Sequence, residues 1–341
     1  MYSEKRLFAV PFNQYAGYSV DDYLKFLESY LANIDSVFCS APSAFGDHIL
    51  PKYVLCNSKV GSCIENFHGL IQCDEVLYDF LACTKGMFKR FLTLNYTVFM
   101  MPDVEWMRML HSYIFPIIEE FELEGLILCN YNMACYVHSI YPKLEIHNSC
   151  NTFSWNIAEI ENWRVNAGLT AFNPPRQIVR CPEKLADFVL SGIKLKVLIN
   201  ESCYFGCSEM LNHCILRNCD FKYTYNCLKN IPVNILRGCF VSKGCYRYLD
   251  NMVDIYKLTG KAANLDLLKK IFDYYILCKD TDNILDVIYG PSVDSFRLQF
   301  PDLKINPKLI PDKLYHCECK DCFSGCDVCS NFFADILKRN A

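Results

Sequence analysis

The stretch Arg6-Leu7-Phe8-Ala9-Val10-Pro11-Phe12 begins the pattern from which the fold is predicted. It is an apolar run of strand length, and a helix is predicted after it from about Val20 to Leu31, with Ser19 as its N-cap. A second apolar run, Ile34 to Cys39, follows that helix. Strand, helix and strand in this order indicate a parallel β-α-β unit.

The same alternation continues along the chain. Six further strands are predicted, at Phe91 to Asn95, Leu126 to Asn130, Leu144 to His147, Leu169 to Phe172, Leu195 to Asn200 and Val253 to Leu258. Amphipathic helices are predicted at Val104 to Phe121, Ala158 to Asn166, Pro182 to Ser191 and Leu265 to Tyr275. Eight strands favour a parallel (β/α)8 TIM-like barrel over residues 1–300. An open doubly wound sheet is the alternative, but no glycine-rich phosphate loop follows the first strand.

Composition limits the classes of protein that fit this chain of 341 residues. Its 52% hydrophobic and 21% charged residues are typical of a globular fold. The formal net charge of −4 gives no overall electrostatic footprint for nucleic acid. Because no apolar run approaches the roughly 18 residues of a membrane span, we expect a cytoplasmic protein without membrane association.

Polar residues stand at the ends of most predicted strands. In a parallel barrel the carboxyl ends of the strands share one rim, which is where active sites lie. The recurrence therefore predicts a polar pocket there, although each Asn taken alone is more simply a cap or turn residue. The residues are Asn13, Asn95, Asn130, His147, Asn148, Asn173, Asn200 and Glu201.

The chain has 22 cysteines. In the reducing cytosol where we expect the protein, they should be free thiols or metal ligands rather than disulfides. Single cysteines in apolar surroundings are interpreted as small core residues: Cys39, Cys56, Cys83, Cys129, Cys181 and Cys278. Two groups cluster instead. The first follows the seventh strand and comprises Cys203, Cys207, Cys214, Cys219 and Cys227 with His213, and then Cys239 and Cys245. Soft thiolates at a barrel rim indicate zinc or an iron–sulfur cluster, and their irregular spacing favours the cluster.

The second group lies in a tail, residues 301–341, whose prolines predict an extended linker before it. Its spacing is Cys-x-Cys-x2-Cys-x3-Cys-x2-Cys, formed by Cys317, Cys319, Cys322, Cys326 and Cys329. Five cysteines this close indicate metal binding. Zinc and a four-iron cluster both accept four thiolates, and we favour the cluster with zinc as the alternative.

Several of these segments together resemble the collagenase-like U-32 peptidase family, whose members are barrel proteins with iron–sulfur clusters. The resemblance covers roughly residues 90 to 275 and includes the run Leu195-Lys196-Val197-Leu198-Ile199-Asn200-Glu201-Ser202-Cys203. Ser242-Lys243-Gly244-Cys245 is similar to the family's later cluster segment, and Val253 to Lys261 looks like its last strand. The pattern Asn-Glu-x-Cys-x3-Cys-x5-His, from Asn200 to His213, resembles a subgroup with a Cys-rich C-terminus.

The resemblance implies chemistry at a metal cluster on the barrel rim. It implies 4Fe-4S ligation by Cys203, Cys207, Cys227 and Cys245, with the third ligand open among Cys214, Cys219 and Cys227, and a tail set of Cys319, Cys322, Cys326 and Cys329. It also implies oxygen-independent hydroxylation, or a related oxidoreductase reaction, on a small molecule, RNA or peptide.

Two functions fit these observations. In the first, the chain is a cluster-dependent enzyme with His213, Glu201, Asn200 and Lys257 as catalytic residues. The predicted substrate-binding residues are His147, Asn148, Asn151, Arg176 and Arg180. Either arginine can bind a carboxylate or phosphate through two hydrogen bonds, and the alternative for each is an ordinary surface position. In the second, the chain binds or modifies peptides, with a protein partner and structural metal sites. A plain cysteine peptidase, with His213 activating Cys203, is a weaker third hypothesis.

Overall fold

The computed structural model of this chain describes residues 5–14, 16–41, 67–94, 103–152, 154, 156–204, 235–260, 263–311 and 327–340. Its centre is a closed barrel of eight strands. The strands are β1 (Phe8–Pro11), β2 (Ile34–Ser40), β3 (Lys89–Leu94), β4 (Gly125–Leu128), β5 (Glu145–Asn148), β6 (Leu169–Phe172), β7 (Lys194–Leu198) and, after two strands outside the barrel, β10 (Ile255–Lys257).

The barrel closes between its first and last strands. Every pair of neighbouring strands around the ring is parallel, and β1 completes it by pairing with β10, where Phe8 stands opposite Tyr256. All eight predicted strands are present, with ends that differ by a few residues. The predicted TIM-like (β/α)8 barrel is therefore confirmed.

Helices surround the barrel, and most of them connect one strand to the next. Their bounds are Val20–Leu27, Phe67–Cys83, Asp103–Met109, Phe115–Phe121, Tyr131–Ile140, Ile157–Ala167, Pro182–Val189, Tyr246–Leu249, Leu265–Tyr275, Pro291–Gln299 and Val328–Asn340. Local sequence explains where several begin. The Ser19 side chain accepts a hydrogen bond from the Asp22 amide, as its predicted role as N-cap requires. Asn130, Asn156 and Asn264 cap three further helices in the same way.

The helix predicted as one element from Val104 to Phe121 is interrupted. The structure has a π-helical turn, Leu110–Ile114, between two α-helices. Pro116 lies in the first turn of the second helix and has no amide hydrogen to continue the α-helical ladder. The wider turn accommodates this missing donor without ending the helical direction.

The apolar core has two parts because each strand has two faces. The larger part lies between the strands and the surrounding helices and includes the stacked pair Phe12 and Phe80, whose ring centroids are 3.8 Å apart. The smaller part fills the inside of the barrel and consists of Ala9, Phe38, Phe91, Ile127 and Ile255. Burial of each large side chain contributes about 1.5 to 3 kcal/mol to folding. Polar residues share the inside, and they define the site described below.

Two further strands stand outside the ring and were not predicted. β8 (Asn200–Tyr204) follows β7 directly in the chain and pairs with β9 (Gly238–Phe240) in antiparallel orientation. The Ser202 amide donates to the Tyr289 carbonyl, and the Tyr289 amide donates to the Asn200 carbonyl. These bonds fix β8 above the barrel, with Glu201 and Cys203 on it.

The C-terminal part of the described chain packs on the rest of the protein. Residues 301–311, which were predicted to be an extended linker, contain the 3₁₀ turn Pro307–Leu309 and bury Leu303, Ile305 and Ile310. The helix Val328–Asn340 buries Cys329, Phe333 and Ile336. No helix within the described ranges has the length and apolarity needed to cross a bilayer.

Candidate functional site

The candidate site lies at the carboxyl ends of the barrel strands. Three connections contribute to it: the 3₁₀ turn Cys150–Thr152 after β5, the 3₁₀ segment Arg176–Arg180 after β6, and β8 after β7. Lys257 is the last residue of β10 and reaches the same end of the barrel. The predicted rim therefore corresponds to the carboxyl end of the barrel, and Asn95, one of the residues predicted there, lies outside the described residues.

Arg176 belongs to one of these three connections and contacts residues of the other two. One terminal nitrogen, Nη1, lies 3.3 Å from Glu201 Oε2 and 3.6 Å from Cys203 Sγ. The other, Nη2, donates to Asn151 Oδ1 and lies 3.8 Å from Cys150 Sγ. Only 9% of Arg176 is exposed, so its charge is largely withdrawn from water. The predicted residues Asn151, Glu201 and Cys203 thus meet at one guanidinium.

The charge of Arg176 matters for Cys203. A neighbouring cation favours the thiolate over the thiol, and the thiolate is the form that binds metal or attacks as a nucleophile. Glu201 forms an ion pair with the same guanidinium, so the two side chains together carry no net charge. The group of Arg176, Glu201 and Cys203 thus combines a cation, a carboxylate and a thiol at the mouth of the barrel. Cys150, which the sequence analysis did not select, is its fourth member.

Lys257 stands beside this group at the end of β10. It is in register with Ala9 on one side and with Leu198 on the other, and its Nζ lies 4.5 Å from the centre of the Phe38 ring. Phe38 belongs to the inner core, so the Lys257 side chain points into the barrel mouth. Burial lowers the pKa of Lys257, and the charge of Arg176 lowers it further, whereas Cys150 acts in the opposite direction.

Beneath the mouth, charged side chains occupy the interior of the barrel. His147 stacks on Phe91 with ring centroids 4.3 Å apart, and its Nε2 lies 3.5 Å from Glu145 Oε2. Lys196 Nζ lies 3.4 Å from His147 Nδ1 and 3.1 Å from Ser36 Oγ. The His147 tautomer with hydrogen on Nε2 suits both contacts, since Nδ1 then accepts from Lys196.

Burial decides the protonation states of this interior group. It lowers the pKa of His147 to about 3, and the charge of Lys196 adds to the effect while Glu145 opposes it. It also lowers the pKa of Lys196 to about 7, assisted by the charge of Lys257. The hydrogen bond with His147, joined by that with Lys89, lowers the pKa of Glu145 to about 2 despite partial burial. At neutral pH, His147 is therefore neutral and Glu145 is ionised.

Three predicted site residues hold the connections together. Asn148 Nδ2 donates to the Asn173 carbonyl at 2.9 Å, and its Oδ1 accepts from the Asn173 amide at 2.7 Å. Asn200 bonds Thr259 in the same two-sided way, at 3.0 and 2.7 Å. Arg180 Nη1 donates to the carbonyls of Leu236 and Gly238, each at 3.0 Å. These side chains order the loops at the mouth, and contact with a substrate remains a prediction for each of them.

The predicted metal ligands are only partly within the described chain. Cys203 lies at the mouth, Cys245 is buried in the 3₁₀ turn Lys243–Cys245 with Ser242 Oγ 3.8 Å from its sulfur, and Cys329 is buried in the C-terminal helix. Cys207, Cys227, Cys319, Cys322, Cys326 and the predicted base His213 lie outside the described residues, as do Cys214 and Cys219. Among the side chains that are described, no three of His, Cys, Asp or Glu form a group suited to a metal ion.

The fold and the site define a parallel (β/α)8 barrel protein with a polar, thiol-containing mouth. No family model matches the chain. It is 24% identical over 110 residues to an uncharacterized protease of Methanocaldococcus jannaschii, in a region that is 29% of this chain and 33% of that relative. The matched region thus spans about one third of the length of the curated relative.

Solved structures of similar fold include a U32 peptidase, with a TM-score of 0.49 and 9% identity over 76% of this chain and 95% of the other. A protein of unknown function from Enterococcus faecalis gives a TM-score of 0.39 and 13% identity over 80% and 66% of the two chains. The chain resembles the U-32 peptidase family, as its sequence motifs indicate, and the curated relative is likewise named a protease.

Proposed function

We propose that this chain is a U-32-like enzyme that modifies its substrate at the mouth of the barrel, beside an iron–sulfur cluster. Cys203, Cys207, Cys227 and Cys245 would hold the cluster. When bound, such a cluster supplies one-electron redox chemistry. The reaction would be an oxygen-independent hydroxylation or a related redox step on a small molecule, RNA or peptide.

The observation that carries the proposal is the contact of Arg176 with Cys203. A guanidinium 3.6 Å from the sulfur stabilises a thiolate and would donate a hydrogen bond to it as a metal ligand. The same guanidinium orients Glu201, whose carboxylate is then held at the mouth for proton transfer. Hydrogen bonds and charges around ligand sulfurs tune a cluster's potential, so Arg176 would set both the geometry and the redox properties.

The remaining predicted residues would act around this centre. His213 is the proposed acid or base, Asn200 keeps the start of β8 in place through Thr259, and Lys257 faces the mouth. The tail cysteines Cys319, Cys322, Cys326 and Cys329 would hold a second cluster, or zinc. Cys329 is buried against the core of the described chain, so a tail site that uses it would lie against the barrel.

Anaerobic purification with iron and sulfide quantitation and an absorbance spectrum tests this proposal. The wild-type protein should contain iron and sulfide in comparable amounts, and Cys203→Ala should lose about four iron atoms, the content of one cluster. Cys83→Ala is the matched control, because Cys83 is an exposed cysteine on a helix outside the barrel. Equal iron contents in the two variants would show that Cys203 is not a ligand.

A second candidate function is a peptide-binding or peptidase-like protein with structural metal sites. The name of the curated relative, a protease, favours it. In that case Cys203 beside Arg176 would be a nucleophile rather than a ligand, with His213 as its base. A colourless protein that contains zinc, and that is alkylated at Cys203 by a thiol reagent without losing metal, would support this function over the first.

A further inference from the structure

Lys257 is a largely buried cation, and no carboxylate of the described residues balances its charge. Only 7% of the residue is exposed, and its Nζ faces the Phe38 ring at the mouth of the barrel. Within the described part of the chain, its ammonium has no hydrogen-bond or ion-pair partner. A nearly buried ammonium without an oxygen partner is costly in free energy, because its three hydrogens keep little contact with water and gain no protein acceptor in exchange. An aromatic ring compensates only part of that cost.

The other cations near the mouth already have polar partners in the described chain, although Arg180 Nε is a buried donor without one. Arg176 directs both terminal nitrogens at Glu201, Asn151 and neighbouring sulfurs, and Arg180 donates to two backbone carbonyls. Lys196 contacts Ser36 and His147 one layer below. The interior carboxylate Glu145 is bound by Lys89 and His147. Among the described residues, the ammonium of Lys257 therefore remains available, with Arg176 as a second positive charge nearby.

We propose that Lys257 binds an anionic oxygen group of the substrate, a carboxylate or a phosphate, at the barrel mouth. A compact oxyanion there would accept hydrogen bonds from the ammonium opposite the face that Phe38 covers. This inference rests on the proposed function for the location of the substrate, but not on any metal. It transfers the anion-binding role that the sequence suggested for Arg176 or Arg180 to a residue whose donors are uncommitted.

Thermal unfolding of the whole chain, purified anaerobically, tests this assignment with inorganic phosphate and acetate as probes. Each is titrated against chloride at constant ionic strength. Kosmotropic anions also raise Tm without binding, in proportion to their concentration, so only a saturable rise is counted as binding. At least one probe should raise the wild-type Tm in a saturable way. In Lys257→Met the apparent dissociation constant should rise about tenfold or more, as expected for loss of a charge-assisted hydrogen bond. Lys257→Arg should retain binding.

Lys196→Met is the matched control, because Lys196 is also a buried lysine inside the barrel but already has partners. It should keep the wild-type anion response. A response to phosphate alone identifies a phosphorylated substrate, and a response to acetate alone identifies a carboxylate. No saturable response in wild type, or an equal response in Lys257→Met, would overturn the assignment. Iron content is measured on the same samples and tests the proposed iron–sulfur function separately. Anion binding by a protein without iron would refute that function but leave the role of Lys257 intact.

Discussion

At the scale of single residues, the buried Lys196 is expected to lower stability. It lies inside the barrel with a hydroxyl and an imidazole as hydrogen-bonding partners, and no carboxylate of the described residues is within ion-pair distance. In the unfolded chain this lysine stays protonated up to about pH 10.5, whereas in the folded protein it does so only up to about pH 7. Because the unfolded state binds the additional proton between these values, stability should rise with pH across that window.

Replacement of Lys196 by Met should therefore stabilise the fold. The unfolding free energy at pH 7 and below should increase by about 1 to 4 kcal/mol, the range found when well-packed apolar residues replace buried charges. The gain should shrink between pH 7 and 10.5, where the wild-type lysine loses its proton on folding. Urea denaturation at several pH values measures both effects.

The exposed Lys304, paired with Asp282, provides the control. Lys304→Met should change the unfolding free energy by no more than about 0.5 kcal/mol at any of these pH values. If Lys196→Met proves less stable than wild type at pH 6, the hydrogen bonds of the ammonium outweigh the cost of its burial. Lys196 would then stabilise the fold, which contradicts the prediction.

Residue types and strand ends predicted part of the site from sequence. Asn151, Arg176, Glu201 and Cys203 were selected, and the structure brings them together. Lys196 was missed because a single charge inside Leu195-Lys196-Val197-Leu198 is read as a residue on the solvent side of a strand. In a closed barrel, the face opposite the helices points into the interior instead, and a charge there is buried. Cys150 was missed because it belongs to neither cysteine cluster.

At the scale of secondary-structure elements, Arg90 connects one strand to two helices. It lies on β3, is fully buried, and donates to the Leu81 carbonyl at 2.6 Å and to the Phe121 and Glu122 carbonyls at 2.9 Å each. It also forms an ion pair with Glu124 at 3.0 Å. Carbonyls at helix C-termini lack partners within their helix, and a cation there is favourable for the helix dipole as well.

Arg90→Met should lower the unfolding free energy by about 3 to 5 kcal/mol, because it leaves a carboxylate and three carbonyls without their donor. Chemical denaturation measures the loss, and hydrogen exchange should show it first at the ends of the helices Phe67–Cys83 and Phe115–Phe121. Arg164→Met is a suitable control, since Arg164 forms an exposed pair with Glu161 within one helix. Equal losses in both variants would contradict a capping role for Arg90.

Strands and helices were predicted with different success, for a physical reason. Buried strands of a parallel barrel are short apolar runs between polar residues, so all eight were visible in the sequence. The helix Leu265–Tyr275 was predicted with its observed bounds. The π-helical turn was not predicted. The amphipathic pattern indicates which face of a helix is buried, but it does not indicate how the backbone accommodates Pro116. Strands β8 and β9 were missed because they lie in a region interpreted from its cysteines alone.

At the scale of the whole molecule, aromatic contacts attach the helix Val328–Asn340 to the helix Pro291–Gln299 and to Phe300, the residue after it. The Phe333 ring lies 6.2 Å from that of Phe296 and 6.1 Å from that of Phe300, in edge-to-face arrangements. Sequence analysis interpreted this part of the chain through its cysteines and prolines, which do not report on packing. The apolar residues at Leu303, Ile305 and Ile310 were the available signal that it is packed.

Phe333→Ala should therefore destabilise the protein by about 3 to 5 kcal/mol, the usual cost of removing a buried aromatic side chain. Leu337 on the same helix is 41% exposed, compared with 6% for Phe333, so Leu337→Ala should cost far less. Chemical denaturation of both variants gives the comparison. If the two substitutions have the same small effect, the helix is not held in place by this face.

The closure of the barrel by β1 and β10 has a consequence for how the protein is made. Arg6 and Asp250, which bond next to this seam, are 244 positions apart, and β1 has no second neighbour until β10 has been synthesised. At about 5 to 20 residues per second, the ribosome needs at least ten seconds to cover that distance. Throughout that time the nascent chain exposes an unpaired strand edge, which is a template for aggregation. We therefore expect the yield of this protein to depend on chaperones that act on the nascent chain.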